Sequence, residues 1–207
     1  TFNFKFCNKK RIFYSTKNEI KNIVLNIEKL IDIKIPFKKY SLSNIENNFF
    51  DEAKKLLPDQ NYVGFSITQG NEYRKKSWPL NKFINIAKKI SKNKKVPVFL
   101  IEKSNIELIN KIKKEINNAI FPELETTLTG PPLVSALSTR LQKVVSIDNG
   151  IMHMVGLANI PMIVLFGPTN PSKFAPKINK IDILDSKLIY NSDDISKITE
   201  DDVLSLI

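Results

Sequence analysis

Short apolar runs alternate with amphipathic segments between residues 61 and 185, and this alternation constrains the fold more than any other feature. Four runs have strand length and lack polar alternation, as expected of strands buried on both faces: 62–67, 96–101, 143–148 and 162–167. Segments with apolar residues at helical spacing separate these runs. We therefore predict an α/β fold in which a parallel sheet carries helices on both faces.

The part before residue 61 is predicted from local patterns. Residues 2–6, FNFKF, alternate Phe with polar residues as a half-buried strand does, and residues 11–15 are a second strand candidate. Residues 18–33 repeat apolar side chains at helical spacing, which predicts an amphipathic helix. A short helix at 49–57 follows and ends before Pro58, because the residue preceding a proline disfavours helical geometry.

Two further elements are expected near the end of the chain. The segment KIDILD at 180–185 fits a last strand. Residues 199–207 fit a helix in which Thr199 caps the N-terminus. Acidic residues fill the first turn of this helix, where the helix dipole favours negative charge.

The composition narrows the range of partners. The formal net charge of +11 fits nucleic acid, an anionic membrane surface or a phosphorylated ligand. The basic residues are scattered and form no recognition motif with aromatics, so we expect no nucleic acid, and compositional drift explains the charge equally well. The single Cys7 excludes an internal disulfide and indicates a reducing compartment. No apolar run approaches the ~18 residues needed to span a bilayer.

The loop after the third run, Asp148-Asn149-Gly150, is the first candidate site. Ligands of parallel sheets bind at the carboxyl ends of the strands, over the N-termini of the following helices. A helix that begins here presents unpaired amides and a positive dipole end, which suit a phosphate. Gly150 allows close approach of a ligand to the backbone, and Asp148 can accept hydrogen bonds from hydroxyls. The alternative is an ordinary turn with an Asx N-cap.

Three further features belong to the same edge of the sheet. The basic residues 74–76 follow the first run, where the alternative is a solvated basic loop. Thr169 lies in the turn-forming segment 165–171, which is equally compatible with a purely structural turn. His153, one helical turn after the loop, can reach a phosphate or a sugar hydroxyl, although a lone histidine between two methionines also fits packing against the sheet. A basic loop and a helix dipole facing one crevice suit a diphosphate neutralised without a metal, and the lone histidine makes a zinc site unexpected.

Three motifs in order carry a resemblance to a known family: K-x-W-P at 76–79, D-N-G-x-x-H at 148–153 and L-F-G-P-T-x-P at 165–171. Together they resemble glycosyltransferase family 9, the heptosyltransferases that build the inner core of lipopolysaccharide. The resemblance covers about residues 60 to 205.

The resemblance implies the Rossmann-like, carboxyl-terminal half of a GT-B enzyme. Residues 60–207 would form the domain that binds the nucleotide-sugar donor, and residues 1–59 the tail of the acceptor-side domain. The implied reaction is an inverting, metal-independent transfer from a nucleotide-diphosphate sugar, typically ADP-heptose, to the lipopolysaccharide core, with no cofactor. The implied location is the cytoplasm, and the basic charge is compatible with peripheral docking on the anionic inner membrane.

The roles of individual residues are carried over from the motifs. Lys76 would contact the diphosphate, and Asn149 and Gly150 would hold it with neighbouring amides. Asp148 would bind sugar hydroxyls, and His153 would support this loop or the phosphate.

The remaining donor contacts follow from position within the resemblance. An acidic residue after the run 96–101 would hold the ribose, with Glu107 as the best fit and Glu102 as its rival. Leu133, in the loop before its helix, would line the pocket for the base. Thr169 would complete the donor site from the last motif.

The sequence also departs from the family pattern. Asn149 stands where the family usually has Ser or Thr, and residues 101–104, IEKS, replace the expected glycines, which leaves the donor base open. The general base of this family is an Asp early in the amino-terminal half, and no residue here matches it. The chain as given is therefore expected to bind donor without transferring the sugar.

Other functions stay open at this point. They are a GT-B transferase with another donor, a nucleotide-sugar epimerase of related fold, and a non-catalytic module for sugar binding or assembly. An epimerase would need further acid-base carboxylates, which the motifs do not supply. An upstream domain of roughly 110–150 residues with an early Asp would favour the enzyme, and a Met directly before Thr1 the module.

Overall fold

The structure is a computed structural model that describes residues 19–35, 41–59, 61–70 and 72–207. The strand candidates at 2–6 and 11–15 lie outside the described residues. Of the described residues, 19–35 and 172–174 belong to one compact unit and all others to a second.

A five-stranded parallel sheet organises the second unit, as the sequence predicts. Its strands are β1 (Tyr62–Ser66), β2 (Val96–Phe99), β3 (Lys143–Ile147), β4 (Met162–Phe166) and β5 (Ile181–Asp185). Their spatial order is β2-β1-β3-β4-β5. The carboxyl ends of β1, β3 and β4 therefore lie side by side at the centre of one edge, because all strands run in the same direction.

The helices confirm the predicted alternation. They are α1 (Glu19–Ile31), α2 (Asn47–Leu56), α3 (Leu80–Lys92), α4 (Ile106–Glu115), α5 (Pro131–Ser138), α6 (Gly150–Leu157), α7 (Pro171–Phe174), α8 (Ser186–Tyr190) and α9 (Glu200–Leu204). Thr199 caps α9 as predicted: its hydroxyl accepts a hydrogen bond from the Asp202 amide at 3.1 Å, and the Asp202 carboxylate accepts one from the Thr199 amide at 2.7 Å.

One face of the sheet packs against α3, α4 and α9 through an aromatic core. Phe65 stacks on Phe99 with ring centroids 5.0 Å apart, and Phe99 stacks on Phe121 at 5.5 Å. Phe83 of α3 meets Phe65 edge-on at 6.3 Å. Full burial of one such side chain contributes about 1.5–3 kcal/mol, so this face is a main source of stability.

The opposite face carries α2, α5 and α6, in which α5 packs against both other helices. Gly64 is needed here, because a Cβ at this position would lie 2.6 Å from the Leu141 side chain. Arg140 joins this layer to the end of α2 by donating from Nε to the Leu57 carbonyl at 2.9 Å and from Nη2 to the Pro58 carbonyl at 2.8 Å. Side-chain donors at the C-terminus of a helix satisfy carbonyls that have no partner within the helix.

The first unit contains α1, which is amphipathic as predicted. Glu28 accepts a hydrogen bond from the Ile35 amide at 2.9 Å and pairs with Lys34 at 3.3 Å, which ties down the residues after the helix. Within the described part of the chain, no helix combines the length and apolar character required to cross a membrane.

Candidate functional site

The junction between β3 and α6 carries the predicted phosphate site. Asp148 and Asn149 follow β3, and α6 begins at Gly150. The Asn149 side-chain oxygen accepts a hydrogen bond from the Met152 amide at 3.0 Å, so Asn149 is the N-cap of α6. The other amides of the first turn have no carbonyl partner within the helix and carry the positive end of its dipole.

The side-chain nitrogen of Asn149 binds the end of β1 and the loop that follows it. It donates to the Ser66 hydroxyl at 2.7 Å and to the Thr68 carbonyl at 2.9 Å. A side-chain amide has two donor hydrogens, and both are used here. Any diphosphate contact at this position would therefore come from backbone amides of α6 and not from the Asn149 side chain.

Gly150 faces open space at the start of α6. A Cβ built on it would meet no atom within 4 Å, and its φ lies outside the left-handed region. Neither packing nor backbone conformation therefore requires a glycine here. The missing side chain leaves room for a ligand to approach the first amides of the helix.

A buried ion pair joins Lys76 to Asp148. The Lys76 ammonium donates to Asp148 Oδ2 at 2.5 Å, and the Thr169 hydroxyl donates to the same oxygen at 2.6 Å. Lys76 and Asp148 are only 8% and 6% exposed. The contacts link the loops after β1, β3 and β4, and thus bring together three of the predicted site residues.

The second carboxylate oxygen of Asp148, Oδ1, accepts no hydrogen bond from the described residues. A carboxylate accepts through both oxygens, so Oδ1 retains acceptor capacity towards a ligand hydroxyl.

The loop that carries Lys76 is held at several points. The Lys76 amide donates to Gln69 Oε1 at 3.0 Å, and Lys75 has a left-handed backbone with a φ of 48°. Trp78 is buried, donates from its indole to the Ile198 carbonyl at 3.0 Å and meets Phe83 edge-on at 4.8 Å. Trp78 therefore closes the loop onto α3.

His153 points away from the sheet. Its side chain is exposed and lines a crevice of about 430 Å³ between α5 and α6, so the alternative of a histidine packed against the sheet is wrong. Partial desolvation lowers the pKa of the imidazole, while the Asp148 carboxylate opposes this shift. The lowered pKa favours a neutral imidazole at pH 7. The crevice is lined by Ile45, Pro131, Pro132, Ser135, Gly150, His153, Met154 and Leu157.

The turn after β4 depends on Gly167. A Cβ at this position would lie 2.9 Å from the Asp193 carbonyl oxygen and 2.8 Å from the Ile195 Cβ. The close approach of the 193–195 segment therefore leaves no room for a side chain at residue 167. Thr169 lies directly after this turn and donates to Asp148.

The sequence model of glycosyltransferase family 9 (heptosyltransferase) matches residues 11–201 of the chain. The chain belongs to glycosyltransferase family 9. No curated protein matches the chain significantly.

Solved structures of this family share the fold. A family 9 glycosyltransferase from Veillonella parvula superposes with a TM-score of 0.74 at 19% identity, over 95% of this chain and 60% of its own. The ADP-heptose lipopolysaccharide heptosyltransferase II of E. coli gives 0.64 at 19% identity, over 84% of this chain and 54% of its own.

A further neighbour is the E. coli heptosyltransferase WaaC, solved with ADP. It gives a TM-score of 0.62 at 15% identity, over 96% of this chain and 57% of its own. The chain thus spans between 54% and 60% of the length of these three proteins. The parallel sheet flanked by helices is the Rossmann-like arrangement of GT-B glycosyltransferases.

The two candidate ribose contacts of this family 9 chain follow β2, which is an edge strand of the sheet. Glu102 follows the extended segment at β2 and Glu107 lies in the first turn of α4; both are exposed. Among the described residues, no side chain forms an ion pair with either of them. The structure therefore places both acids at the solvent-facing edge without choosing between them.

The placement of Leu133 in a loop is wrong. Leu133 lies inside α5, which begins at Pro131, and it is fully buried. Proline is acceptable in the first turn of a helix because its missing amide hydrogen has no helical acceptor there. The pair Pro131-Pro132 therefore opens the helix, and Leu133 belongs to its core-facing side.

The sequence patterns did not predict that Ser66 and Thr68 contact the junction between β3 and α6. The only sign of them in the sequence is that polar residues follow or end the apolar run of β1. Their position beside Asp148 and Asn149 depends on the pairing of β1 with β3. Buried Glu123 was also missed; burial raises the pKa of its carboxyl, and the nearby Glu102 carboxylate adds to this shift. Glu123 lies in a 3-10 turn at Pro122–Glu125, for which the sequence offers no clear signal.

Proposed function

We propose that the sheet domain binds the diphosphate of a nucleotide-sugar donor at the N-terminus of α6, as the donor half of a heptosyltransferase-like enzyme. The observation that carries this proposal is the convergence of three loops at Asp148. There, the unpaired amides of α6, the open face of Gly150 and the Lys76 ammonium share one edge of the sheet.

The proposed chemistry uses charge stabilisation of the leaving diphosphate. The helix dipole and the Lys76 ammonium would offset the negative charge that develops as the sugar leaves, and such preorganised groups act strongly in a partly buried site. Asp148 Oδ1 would accept a hydrogen bond from a sugar hydroxyl, while Oδ2 holds Lys76 and Thr169 in place. A neutral His153 would support the phosphate by hydrogen bonding.

The proposed reaction is inverting and metal-independent, from ADP-heptose to a lipopolysaccharide core acceptor at the cytoplasmic face of the inner membrane. Membership of family 9 supports this reaction class, and the neighbour WaaC was solved with ADP and with ADP-2-deoxy-2-fluoro heptose. Glu102 or Glu107 would hold the ribose. The general base that accepts the acceptor proton would come from outside the motifs described here.

Another donor is the second candidate, favoured by the IEKS segment at 101–104, where the family pattern expects glycines. A uridine nucleotide sugar would use the same diphosphate site with different base contacts. Donor competition distinguishes the two candidates.

Calorimetry of the full chain with ADP, ADP-heptose and UDP sugars tests the proposal. We expect the adenine nucleotides to bind in preference to the UDP sugars, and Lys76→Ala and Asp148→Ala to weaken binding at least about tenfold, the loss expected for a charge-assisted contact. Circular dichroism and melting curves establish that each variant is folded. Tighter binding of UDP sugars would favour the second candidate, and absence of nucleotide binding by the folded wild type would contradict the proposal.

A further inference from the structure

The side chain of Asn149 connects two parts of the site, the N-terminus of α6 and the carboxyl end of β1. Its oxygen caps α6 at the Met152 amide, and its nitrogen donates to Ser66 and Thr68 at the carboxyl end of β1. We infer that Asn149 is a positioning residue that holds the loop carrying Lys76 against the N-terminus of α6. The inference deepens the proposed function, on which its ligand-binding consequence rests.

The geometry of the amide accounts for this role. All three hydrogen bonds, at 2.7, 2.9 and 3.0 Å, come from one planar group, so rotation about the side chain would break them together. The Ser66 end is fixed, because Ser66 is fully buried within β1. The α6 end is fixed by the first turn of the helix.

Other capping residues would not make the same connection. A serine or threonine hydroxyl can accept from the helix amide but has only one hydrogen to donate. An aspartate can cap but has no hydrogen to donate to Ser66 or Thr68, and it would add negative charge beside an anionic ligand. Capping alone therefore does not explain the asparagine, whereas the link to β1 does.

The link matters for Lys76 because the loop leaves β1 directly after Ser66. Thr68 and Gln69 both lie at the start of this loop, and Gln69 in turn accepts a hydrogen bond from the Lys76 amide at 3.0 Å. Asn149 thus holds the start of the loop, and Asp148 holds the Lys76 ammonium at its end. With both contacts in place, the ammonium and the helix amides face the same ligand.

Two variants separate the link from the cap. Asn149→Ser keeps an N-cap but loses the two-donor amide, and Ser66→Ala removes one acceptor while leaving Asn149 intact. Asp185→Ala is the matched control, because it removes an N-cap from α8 after β5, a strand that is not a neighbour of β1. Melting curves identify any variant that fails to fold, and Ser66→Ala remains informative if Asn149→Ser does not fold.

The first measurement needs no ligand. Hydrogen exchange of the backbone amides in residues 67–77 is expected to quicken about 3- to 10-fold in Asn149→Ser, the range expected for one or two lost hydrogen bonds. Ser66→Ala is expected to give a smaller change of the same sign, and Asp185→Ala none in this segment. Wild-type exchange in both Asn149→Ser and Ser66→Ala would overturn the inference.

The second measurement is a double-mutant cycle on ADP binding that combines Asn149→Ser with Lys76→Met. Asn149→Ser is expected to weaken ADP binding about 3- to 10-fold when Lys76 is present and less than about 2-fold in the Lys76→Met variant, because its effect passes through Lys76. Equal losses in both backgrounds would overturn the positioning role. If exchange in residues 67–77 quickens in Asn149→Ser but the wild type binds no nucleotide, the positioning role of Asn149 is supported and the proposed function is contradicted.

Discussion

The carboxyl ends of β3 and β2 are built in opposite ways. At β3, Asp148 and Asn149 engage side chains from two neighbouring loops, and Asp148 is only 6% exposed. At β2, Glu102 and Glu107 face solvent, and neither forms an ion pair within the described part of the chain. The two ends belong to the same sheet, so their difference follows from position in the strand order.

The strand order explains this contrast. β3 lies between β1 and β4, so loops from both sides meet the loop that follows it. β2 lies at the edge of the sheet, where only β1 is a partner along its full length. The side chains after β3 are therefore held in place by other side chains of the protein. Those after β2 face solvent and would be ordered only by a bound ligand.

Asp148→Ala is expected to have the largest effect on stability. It leaves the Lys76 ammonium buried without its carboxylate, and breaking a buried ion pair in this way costs about 3–5 kcal/mol. The matched control is Glu115→Ala, which breaks the half-exposed pair with Lys88 and should leave the urea midpoint almost unchanged. Urea unfolding measures both. If Asp148→Ala lowers the free energy of unfolding no more than the control does, the buried pair is not more stabilising than the exposed one.

The two glycines of the central edge should respond differently to alanine. Gly167→Ala is expected to destabilise the fold by about 1–3 kcal/mol, because its Cβ would press on the Asp193 carbonyl. Gly150→Ala should leave stability unchanged or slightly higher, because the Cβ meets nothing and alanine favours helix. Urea unfolding and ADP titration of both variants check this, with weaker ADP binding expected for Gly150→Ala. A destabilised Gly150→Ala would show that the protein itself needs this glycine.

At the edge, Glu107→Gln and Glu102→Gln should each change stability by no more than about 0.5 kcal/mol, as is usual for exposed positions. One of them should weaken ADP binding about 3- to 10-fold through the loss of a ribose contact, without changing the affinity for inorganic pyrophosphate. Calorimetry with both ligands identifies which acid is used. If neither variant alters ADP binding, the ribose contact lies elsewhere.

The smallest effect is expected from the pH dependence of His153. Its pKa is lowered in the fold, so the unfolded chain takes up this proton first as the pH falls. The contribution of His153 to stability is therefore present above its ordinary pKa of about 6.5 and is lost as the pH falls through the lowered value. Melting temperatures of the wild type and His153→Gln between pH 8 and pH 5 should diverge only at the acidic end. Parallel curves would show that the imidazole titrates normally.

The sequence predicts the elements better than the contacts between them. β4 is predictable because its five residues are apolar without interruption, and α9 because Thr199 precedes an acidic first turn. The pair of Lys76 and Asp148 joins residues 72 positions apart, and it depends on which loops become neighbours in the sheet. The hydrogen bond from Asn149 to Ser66 likewise requires β1 to lie beside β3, a pairing that local patterns do not determine. Leu133 was misplaced because the pair Pro131-Pro132 forms the first turn of α5 and does not belong to the loop before it.

A crystal structure of the full chain with ADP tests the central claim most directly. We predict that the diphosphate lies over Gly150, with phosphate oxygens about 3 Å from the first backbone amides of α6 and within reach of the Lys76 ammonium. The Asn149 side chain should keep its bonds to Ser66 and Thr68 in that complex. A diphosphate bound away from α6, or an Asn149 that leaves Ser66 to bind the phosphate, would contradict the account.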